Sequence, residues 1–462
     1  MRKILLAVTL IALALLLLGT ASAAVKPDGF YLPDGSENDW DSPFSNWSFK
    51  RSRSSEHFIV FWAREFGEDP MNSDKPVDVD KMLRRAEVSW RTNVDRLGMI
   101  TAGEGLSRLD TYKFQVYLLY TDEWVAQTSC FDNVISYIEI SPSAVNIDGC
   151  SFAHEIGHCF QFQIYSDALL NGAPANRDIA FRYDYPGGYT NSFWEQCAQW
   201  VSYLDYPEEA ATDDEFGSFG STSNLSFEHE WTEYQSYWFL IYLTEHYGAD
   251  LIARIWKECT WPETALSVLT RLQYAGDVER LNDDLYDYAA SIAAGQLLPA
   301  GTPSLAKRFT THLYRIDGDW RQVGYRSCPG IGGFNIVSLP LNTSSVTFEG
   351  LQPGSSLAPD DPGEWRTGAD GDKVGGVTAN YNTTLVKPGW RWGLVVAMKD
   401  GSAQKFPMHS EASGTVSVEV PDDADGLYLV VLGAPGVQCY NPQDYDESND
   451  LQFPYRFKVT KN

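Results

Sequence analysis

The stretch His154-Glu155-Ile156-Gly157-His158 decides the fold of the region around it. Positions i and i+4 of an α-helix lie one above the other on the same face, so the two histidines can reach one tetrahedral metal ion. Glu155 lies about 100° further round the helix, close to the metal without competing as a third ligand. A base acting on zinc-bound water has to sit there. The run therefore predicts His154 and His158 as zinc ligands and Glu155 as the catalytic base.

A catalytic zinc needs three protein ligands and an open position for water. The metzincin signature would place Gly at position 161 and His at position 164, but the chain has Gln161 and Ile164, so that class is excluded. The other common solution takes a glutamate from a downstream helix. Glu195, 37 residues after His158 in an apolar and aromatic setting, is the candidate.

Each of these assignments has an alternative. Ser192 and Glu195 have the spacing of a capping box, in which the glutamate would accept from the backbone amide of Ser192. The histidines could also be surface or core residues of an amphipathic helix. Weaker candidates for the third ligand lie further on, at Glu228, Glu230 and Glu233.

The pattern resembles the gluzincin family of zinc metallopeptidases. The matched residues are the motif of the first helix, a glutamate in the second helix and a small residue three positions later: His154, Glu155, His158, Glu195 and Ala198. The small residue would let the two ligand helices approach closely. Strands before the motif and helices after it are also similar to that family's catalytic domain, over roughly residues 56–295.

The resemblance implies hydrolysis of peptide bonds with Zn²⁺ as cofactor. Zinc would lower the pKa of its bound water toward ~7 and polarise the scissile carbonyl. Glu155 would take the water proton and pass it to the leaving amine. The family often stabilises the oxyanion with a Tyr or His from a later helix, and Tyr234 is the first candidate, followed by His229 and Tyr237. The alternative is that these three residues only pack.

Apolar patterning predicts three strands before the motif, over residues 57–62, 113–120 and 135–140. The strand over 113–120, or the next one, would resemble the edge strand that binds extended peptide in this family. After the motif the chain is mainly helical from about 192 to 294, and short apolar runs beyond the linker at 300–303 indicate a β-sandwich.

The predicted fold class is α+β, with a mixed sheet, an active-site helix and a helical half followed by an all-β sandwich. The predicted divisions are a signal peptide at 1–24, an extended leader at 25–55, a zincin-like metallopeptidase domain at 56–300 and a β-sandwich accessory domain at 305–462. A poorly structured cover is the alternative for residues 25–55.

The N-terminus predicts export. Arg2 and Lys3 precede an apolar run over 4–18, and a small-residue cleavage site follows at 21–23. The run is too short for a comfortable membrane span, so we expect a secreted protein without stable membrane insertion, and a retained anchor is the alternative.

Net charge and cysteine content bear on binding partners and on disulfide bonds. A formal net charge of −27 argues against a protein that binds nucleic acid. Seven cysteines lie after the signal, and an oxidising compartment would permit pairs such as Cys130 with Cys150 and Cys328 with Cys439. Because seven is odd, at least one cysteine stays free or pairs outside the chain.

We therefore expect a secreted zinc endopeptidase that acts on proteins or peptides, including glycoproteins. The alternative is a secreted glycan- or surface-binding protein on a non-catalytic zincin-like scaffold, with tryptophans of the sandwich as a sugar platform. The intact Glu155 favours the enzyme. An aminopeptidase is a third possibility. The sequence near the motif lacks the acidic exopeptidase signature that would anchor a substrate amine.

Overall fold

The structure, a computed structural model, describes residues 25–147, 149–175, 180–182, 191–210, 214–297, 305–368, 373–383 and 386–462. The predicted signal peptide at 1–24 and the linker at 300–303 lie outside these residues. The fold is α+β, as predicted, with a helical and sheet-containing N-terminal part and a sheet-rich C-terminal part.

A five-stranded mixed sheet opens the described chain. Its strands are β1 (Ser52–Ser54), β2 (Phe58–Trp62), β3 (Phe114–Leu118), β4 (Ala126–Phe131) and β5 (Ile135–Ile140). The spatial order is β1-β2-β3-β5-β4, in which β2, β3 and β5 run parallel while β1 and β4 pair antiparallel at the edges.

The edge strand is not one of those predicted. β3 lies between β2 and β5, and β5 lies between β3 and β4, so both strands proposed for peptide binding are internal. The edge beside them is β4, which the apolar pattern did not reveal because its residues are only partly buried or exposed. The prediction of the edge strand at 113–120 or in the next predicted strand is therefore wrong.

Residues 25–55 contain only the short turn Phe49–Arg51 and the strand β1, and they lie against the sheet as a cover, the second of the two predicted alternatives. Phe30 and Trp40 are buried and share a small core with Ile59, Phe61 and Tyr117 of the sheet. The alternate residues of the same strands face the main core, so the cover lies on the other side of the sheet. β1 also begins before the predicted boundary at 56.

Helices surround the other face of the sheet and continue beyond it. They are α1 (Val79–Arg91), α2 (Pro142–Ile147), α3 (Cys150–Leu170), α4 (Asn191–Asp205), α5 (Pro207–Ala210), α6 (Asp214–Thr222), α7 (Trp238–Tyr247), α8 (Leu251–Glu258), α9 (Ala265–Tyr274) and α10 (Val278–Ala293). α3 packs between the strands β4 and β5 and the helix α4, which makes it the central helix of this half.

The C-terminal part contains two facing sheets. One has the order β13-β12-β15-β8 and the other β14-β9-β16-β7-β6. Their strands, with the small β10–β11 ribbon, are β6 (Leu313–Arg315), β7 (Arg321–Val323), β8 (Phe334–Leu339), β9 (Thr343–Gly350), β10 (Glu364–Arg366), β11 (Val374–Val377), β12 (Trp390–Met398), β13 (Ala403–Lys405), β14 (Ser413–Ser417), β15 (Ala424–Gly433) and β16 (Tyr455–Lys461). Trp390 and Trp392 are buried in the core between the sheets, so neither forms a surface platform.

The sandwich is continuous with the helical half. The outer face of the β8–β15–β12 sheet contributes Ile336, Val395 and Val430 to the same hydrophobic core as α10. Polar contacts accompany this burial, since the Arg391 guanidinium, 5% exposed, donates to Asp283 at 2.6 Å. The two parts therefore share one core across their junction.

The cysteines do not form the expected bridges. All seven are thiols: Cys130 Sγ lies 3.5 Å from Ser166 Oγ, and Cys150 Sγ donates to the Ser202 carbonyl at 3.8 Å. The predicted pairs Cys130–Cys150 and Cys328–Cys439 are therefore wrong. Within the described ranges, none of the helices combines the length and apolar character needed to cross a bilayer.

Candidate metal centre

The motif lies on α3, as predicted. Phe152, Ile156 and Phe160 are fully buried and hold the helix against the sheet. These apolar residues recur at i+4, so they occupy one side of the helix and leave another side for the histidines. The helix thus holds the motif on a rigid element rather than on a loop.

α3 and α4 meet at two small residues. A Cβ atom placed on Gly157 would lie 3.1 Å from Ala198 Cα and 3.4 Å from its Cβ, which is close to the limit of packing. The expectation that Ala198 allows the two ligand helices to approach is confirmed, and Gly157 is its partner. This contact brings the histidines of α3 within reach of Glu195 on α4.

Three ligand atoms converge at this crossing. His154 Nε2 lies 3.0 Å from His158 Nε2, and Glu195 Oε2 lies 3.1 Å from the first nitrogen and 3.2 Å from the second. A tetrahedral zinc with bonds of about 2.0–2.1 Å holds its ligand atoms about 3.3 Å apart. The three side chains therefore fit a zinc ion in both ligand type and spacing.

Two glutamines orient the imidazoles. Gln161 Nε2 donates to the Trp194 carbonyl at 2.9 Å, and since a carbonyl only accepts, Oε1 is the atom that faces His158 Nδ1 at 2.7 Å. Gln199 Oε1 likewise lies 3.0 Å from His154 Nδ1. With each Nδ1 donating, each neutral imidazole directs the lone pair of Nε2 at the common centre.

The electrostatics of the cluster favour a positive charge within it. Burial lowers the pKa of His158, but the charge and hydrogen bond of Glu195 outweigh burial and raise it to about 9. Burial raises the pKa of Glu195, but the two histidines outweigh it and hold that pKa well below its usual range. Two nitrogen lone pairs and a carboxylate would otherwise repel one another, and a metal cation fits the same place.

The capping-box alternative for Glu195 is wrong. α4 begins at Asn191, so Ser192 lies inside the helix. The Ser192 hydroxyl has no hydrogen-bond partner among the described residues. The Glu195 carboxylate instead faces the two histidines, which is the placement that its role as a ligand requires.

Glu155 lies beside the cluster. The Glu155 carboxylate lies outside the cluster formed by His154, His158 and Glu195. Its negative charge nevertheless contributes to the raised pKa of His158. Thr128 Oγ1 of the edge strand donates to Glu155 Oε2 at 2.6 Å and to its backbone carbonyl at 3.0 Å. The motif predicts this position for a base.

The structure separates the candidates for oxyanion stabilisation. The ring of Tyr234, 37% exposed, lies 6.0 Å from the ring of His154 between centroids. His229 is buried, with Nε2 3.0 Å from Asp450 Oδ2 and Nδ1 accepting from the Trp231 amide at 3.2 Å. Because both ring nitrogens of His229 are engaged in these bonds, the prediction of His229 as an oxyanion donor is corrected: the residue has a structural role.

Tyr237 also fits the packing alternative. Its side chain is fully buried, and its ring lies 4.9 Å from the ring of Tyr203. Tyr234 is the candidate whose ring lies beside that of His154, and we retain it as the first candidate.

Three polar residues around the site escaped the sequence reasoning. Gln161 and Gln199 are polar residues at i+3 from His158 and i+4 from Glu195, a helical spacing that could have revealed them. Thr128 offered no such signal, because it lies on the strand that the apolar pattern did not show.

A family model described as "Family of unknown function (DUF6055)" matches residues 22–462. No curated protein gives a significant match to the chain, and no solved structure does. Since the match spans both structural parts and includes His154, His158 and Glu195, the chain belongs to the DUF6055 family.

Proposed function

We propose that this protein is a zinc-dependent endopeptidase, exported from the cell, in which His154, His158 and Glu195 hold the metal. The observation that carries the proposal is the convergence of three ligand atoms at 3.0–3.2 Å, with both imidazoles oriented by glutamine side chains. Two histidines and one glutamate, with a fourth position open, form the ligand set of several catalytic zinc sites.

The chain's own residues divide the catalytic work. Bound zinc supplies Lewis acidity and lowers the pKa of a coordinated water. Glu155 accepts the proton of the attacking water and delivers it to the leaving amine. Thr128 holds one carboxylate oxygen of Glu155 at 2.6 Å and thereby fixes the direction from which that proton is taken.

Tyr234 is proposed as the donor to the oxyanion that develops on the scissile carbonyl. Its ring lies beside His154, and its side chain is partly exposed, so it can reach a bound substrate. A donor directed at developing negative charge contributes about 10²–10³ to kcat in other hydrolases.

The edge strand β4 supports an extended peptide as substrate. Among the described residues it pairs only with β5, and Thr128 connects it directly to the base on α3. A peptide that adds to a sheet edge binds through its backbone, so its chain continues past the metal in both directions. This arrangement favours cleavage within a chain.

The test is cleavage of an unfolded protein by zinc-loaded wild type and by Glu155→Gln. We expect cleavage by the wild type and a loss of about 10²–10⁴ in rate in the variant, with zinc content unchanged. The control is Glu139→Gln, a carboxylate of β5 that accepts from Gln127 rather than from a residue of α3.

The outcomes separate the candidate functions. Zinc binding without cleavage by the wild type would contradict the peptidase and favour a binding protein on the same scaffold. Equal activity in Glu155→Gln would contradict its role as base. N-terminal sequencing of the exported protein tests the proposed removal of residues 1–24.

A further inference from the structure

We propose that the loop 443–450 of the C-terminal part is a positioning element of the metal centre, which holds the segment 228–234 and with it Tyr234 beside His154. The inference rests on the proposed function for its catalytic consequence, but its structural part stands on contacts between the two halves of the chain. It assigns the sandwich a role in forming the active site instead of an accessory role.

The segment 228–234 is short and mostly irregular. It contains one short 3₁₀ turn, Glu230–Thr232, followed by irregular chain that reaches α7. On one side Gln196, next to Glu195 on α4, donates to Ser236 Oγ at 2.6 Å. That bond ties the chain just after the segment to the ligand helix, and at the other end the Leu266 amide of α9 donates to Glu228 Oε1 at 2.8 Å.

The loop 443–450 of the C-terminal part contacts three successive residues of the segment. Gln443 Nε2 donates to the Glu228 carbonyl at 3.0 Å, and the Tyr445 amide donates to Glu230 Oε1 at 2.8 Å. Between these two contacts, His229 Nε2 lies 3.0 Å from Asp450 Oδ2. The bonds therefore hold consecutive residues and fix both position and direction of the chain that leads to Tyr234.

The His229–Asp450 contact is shielded from water. His229 is 1% exposed and Asp450 is 8% exposed, so little water competes for the bond. Burial lowers the pKa of His229, but the hydrogen bond and charge of Asp450 outweigh it and raise the pKa. A charge-assisted bond in such surroundings is about twice as strong as a neutral one.

The loop is itself held firmly enough to act as a platform. Asn382 Nδ2 donates to the carbonyls of Glu447 at 2.7 Å and Asp450 at 2.9 Å. The Arg366 amide donates to the Glu447 carboxylate at 2.7 Å, and its guanidinium lies 3.3 Å from the same group. Displacement of the segment therefore requires loss of its contacts rather than movement of the loop.

The test compares Asp450→Ala and Asp450→Asn with Glu411→Ala, which removes the carboxylate 3.6 Å from His409 elsewhere in the sandwich. Hydrogen exchange is followed in peptides over 229–236, where amides of the segment are bonded to one another. We expect exchange about tenfold faster in Asp450→Ala, a smaller change in Asp450→Asn, which retains an acceptor, and no change in the control. Exchange equal to wild type in folded Asp450→Ala would overturn the proposal, and Asp450→Asn decides if the alanine variant does not fold.

A double-mutant cycle tests the catalytic consequence. Asp450→Ala is expected to lower kcat about 10- to 100-fold with KM within about twofold and zinc content unchanged, because the oxyanion donor is misplaced while substrate and metal contacts remain. In a Tyr234→Phe background the same change should lower kcat by less than about twofold further. Full multiplication of the two effects would overturn the link to Tyr234. If the wild type cleaves nothing, the proposed function fails while hydrogen exchange still decides whether the loop holds the segment.

Discussion

Replacement of Gln161 by Ala removes the group that orients one metal ligand while all three ligands stay in place. The side chain is 1% exposed and is bonded at both ends, to His158 Nδ1 at 2.7 Å and to the Trp194 carbonyl at 2.9 Å. The loss of such an outer partner lowers metal affinity about 10- to 100-fold in other metal sites. This corresponds to about 1.4–2.7 kcal/mol of binding free energy.

The same change also destabilises the metal-free fold. The Trp194 carbonyl loses the bond from Gln161 that links α3 to α4, and a typical hydrogen bond contributes about 0.5–1.5 kcal/mol to stability. Gln163→Ala is a matched control, because Gln163 lies on the same helix, is fully buried and donates to Asp167 Oδ1 at 2.8 Å. We expect both variants to unfold more readily than the wild type, and only Gln161→Ala to lose zinc affinity.

The assay is competition for zinc with a chelator of known affinity, alongside thermal unfolding of the metal-free proteins. A dissociation constant for Gln161→Ala within about twofold of the wild type would refute the orienting role. Equal losses of affinity in Gln161→Ala and Gln163→Ala would refute its specificity, since general loosening of α3 would then account for both.

Three further predictions concern the base, the helix crossing and acid stability. Thr128→Val should lower kcat about tenfold at unchanged zinc content, because the carboxylate of the base loses its 2.6 Å bond, and a steady-state assay measures this. Gly157→Leu should abolish zinc binding in elemental analysis, since even a Cβ there would lie 3.1 Å from Ala198 Cα. Burial raises the pKa of Glu87, but hydrogen bonds from His57 outweigh it and lower the pKa from 4.5 to about 2. The ionised Glu87 stabilises the fold fully above its unfolded-state pKa of 4.5, and this stabilisation is lost as the pH falls toward about 2. The difference in melting temperature between wild type and Glu87→Gln should therefore shrink between about pH 6 and pH 3.

Strong apolar patterns made several elements predictable. The strands at 57–62 and 135–140 were recognised because they are buried in the sheet, and the structure places them at Phe58–Trp62 and Ile135–Ile140. The motif helix and Glu195 were predicted because metal coordination requires few residue types at fixed spacing. Both the apolar pattern of a strand and the spacing of metal ligands can be recognised from residues close together in the sequence.

Contacts distant in sequence could not be predicted in this way. Phe30 and Trp40 lie among Asp, Ser, Pro and Gly, which indicated a loose leader, yet both rings are buried against the sheet. β4 has no apolar run because only one of its faces is covered. The support of the segment around His229 by Asp450 joins residues 221 positions apart, and no local pattern reports such a pairing.

The central claim is that His154, His158 and Glu195 form one zinc site, and the most direct measurement is zinc content of the mature wild type and of Glu195→Ala. Elemental analysis should find one zinc per chain in the wild type and a loss or sharp reduction in the variant, with its circular dichroism unchanged. A wild type free of zinc under conditions that do not strip metal, or unchanged zinc in Glu195→Ala, would contradict the account.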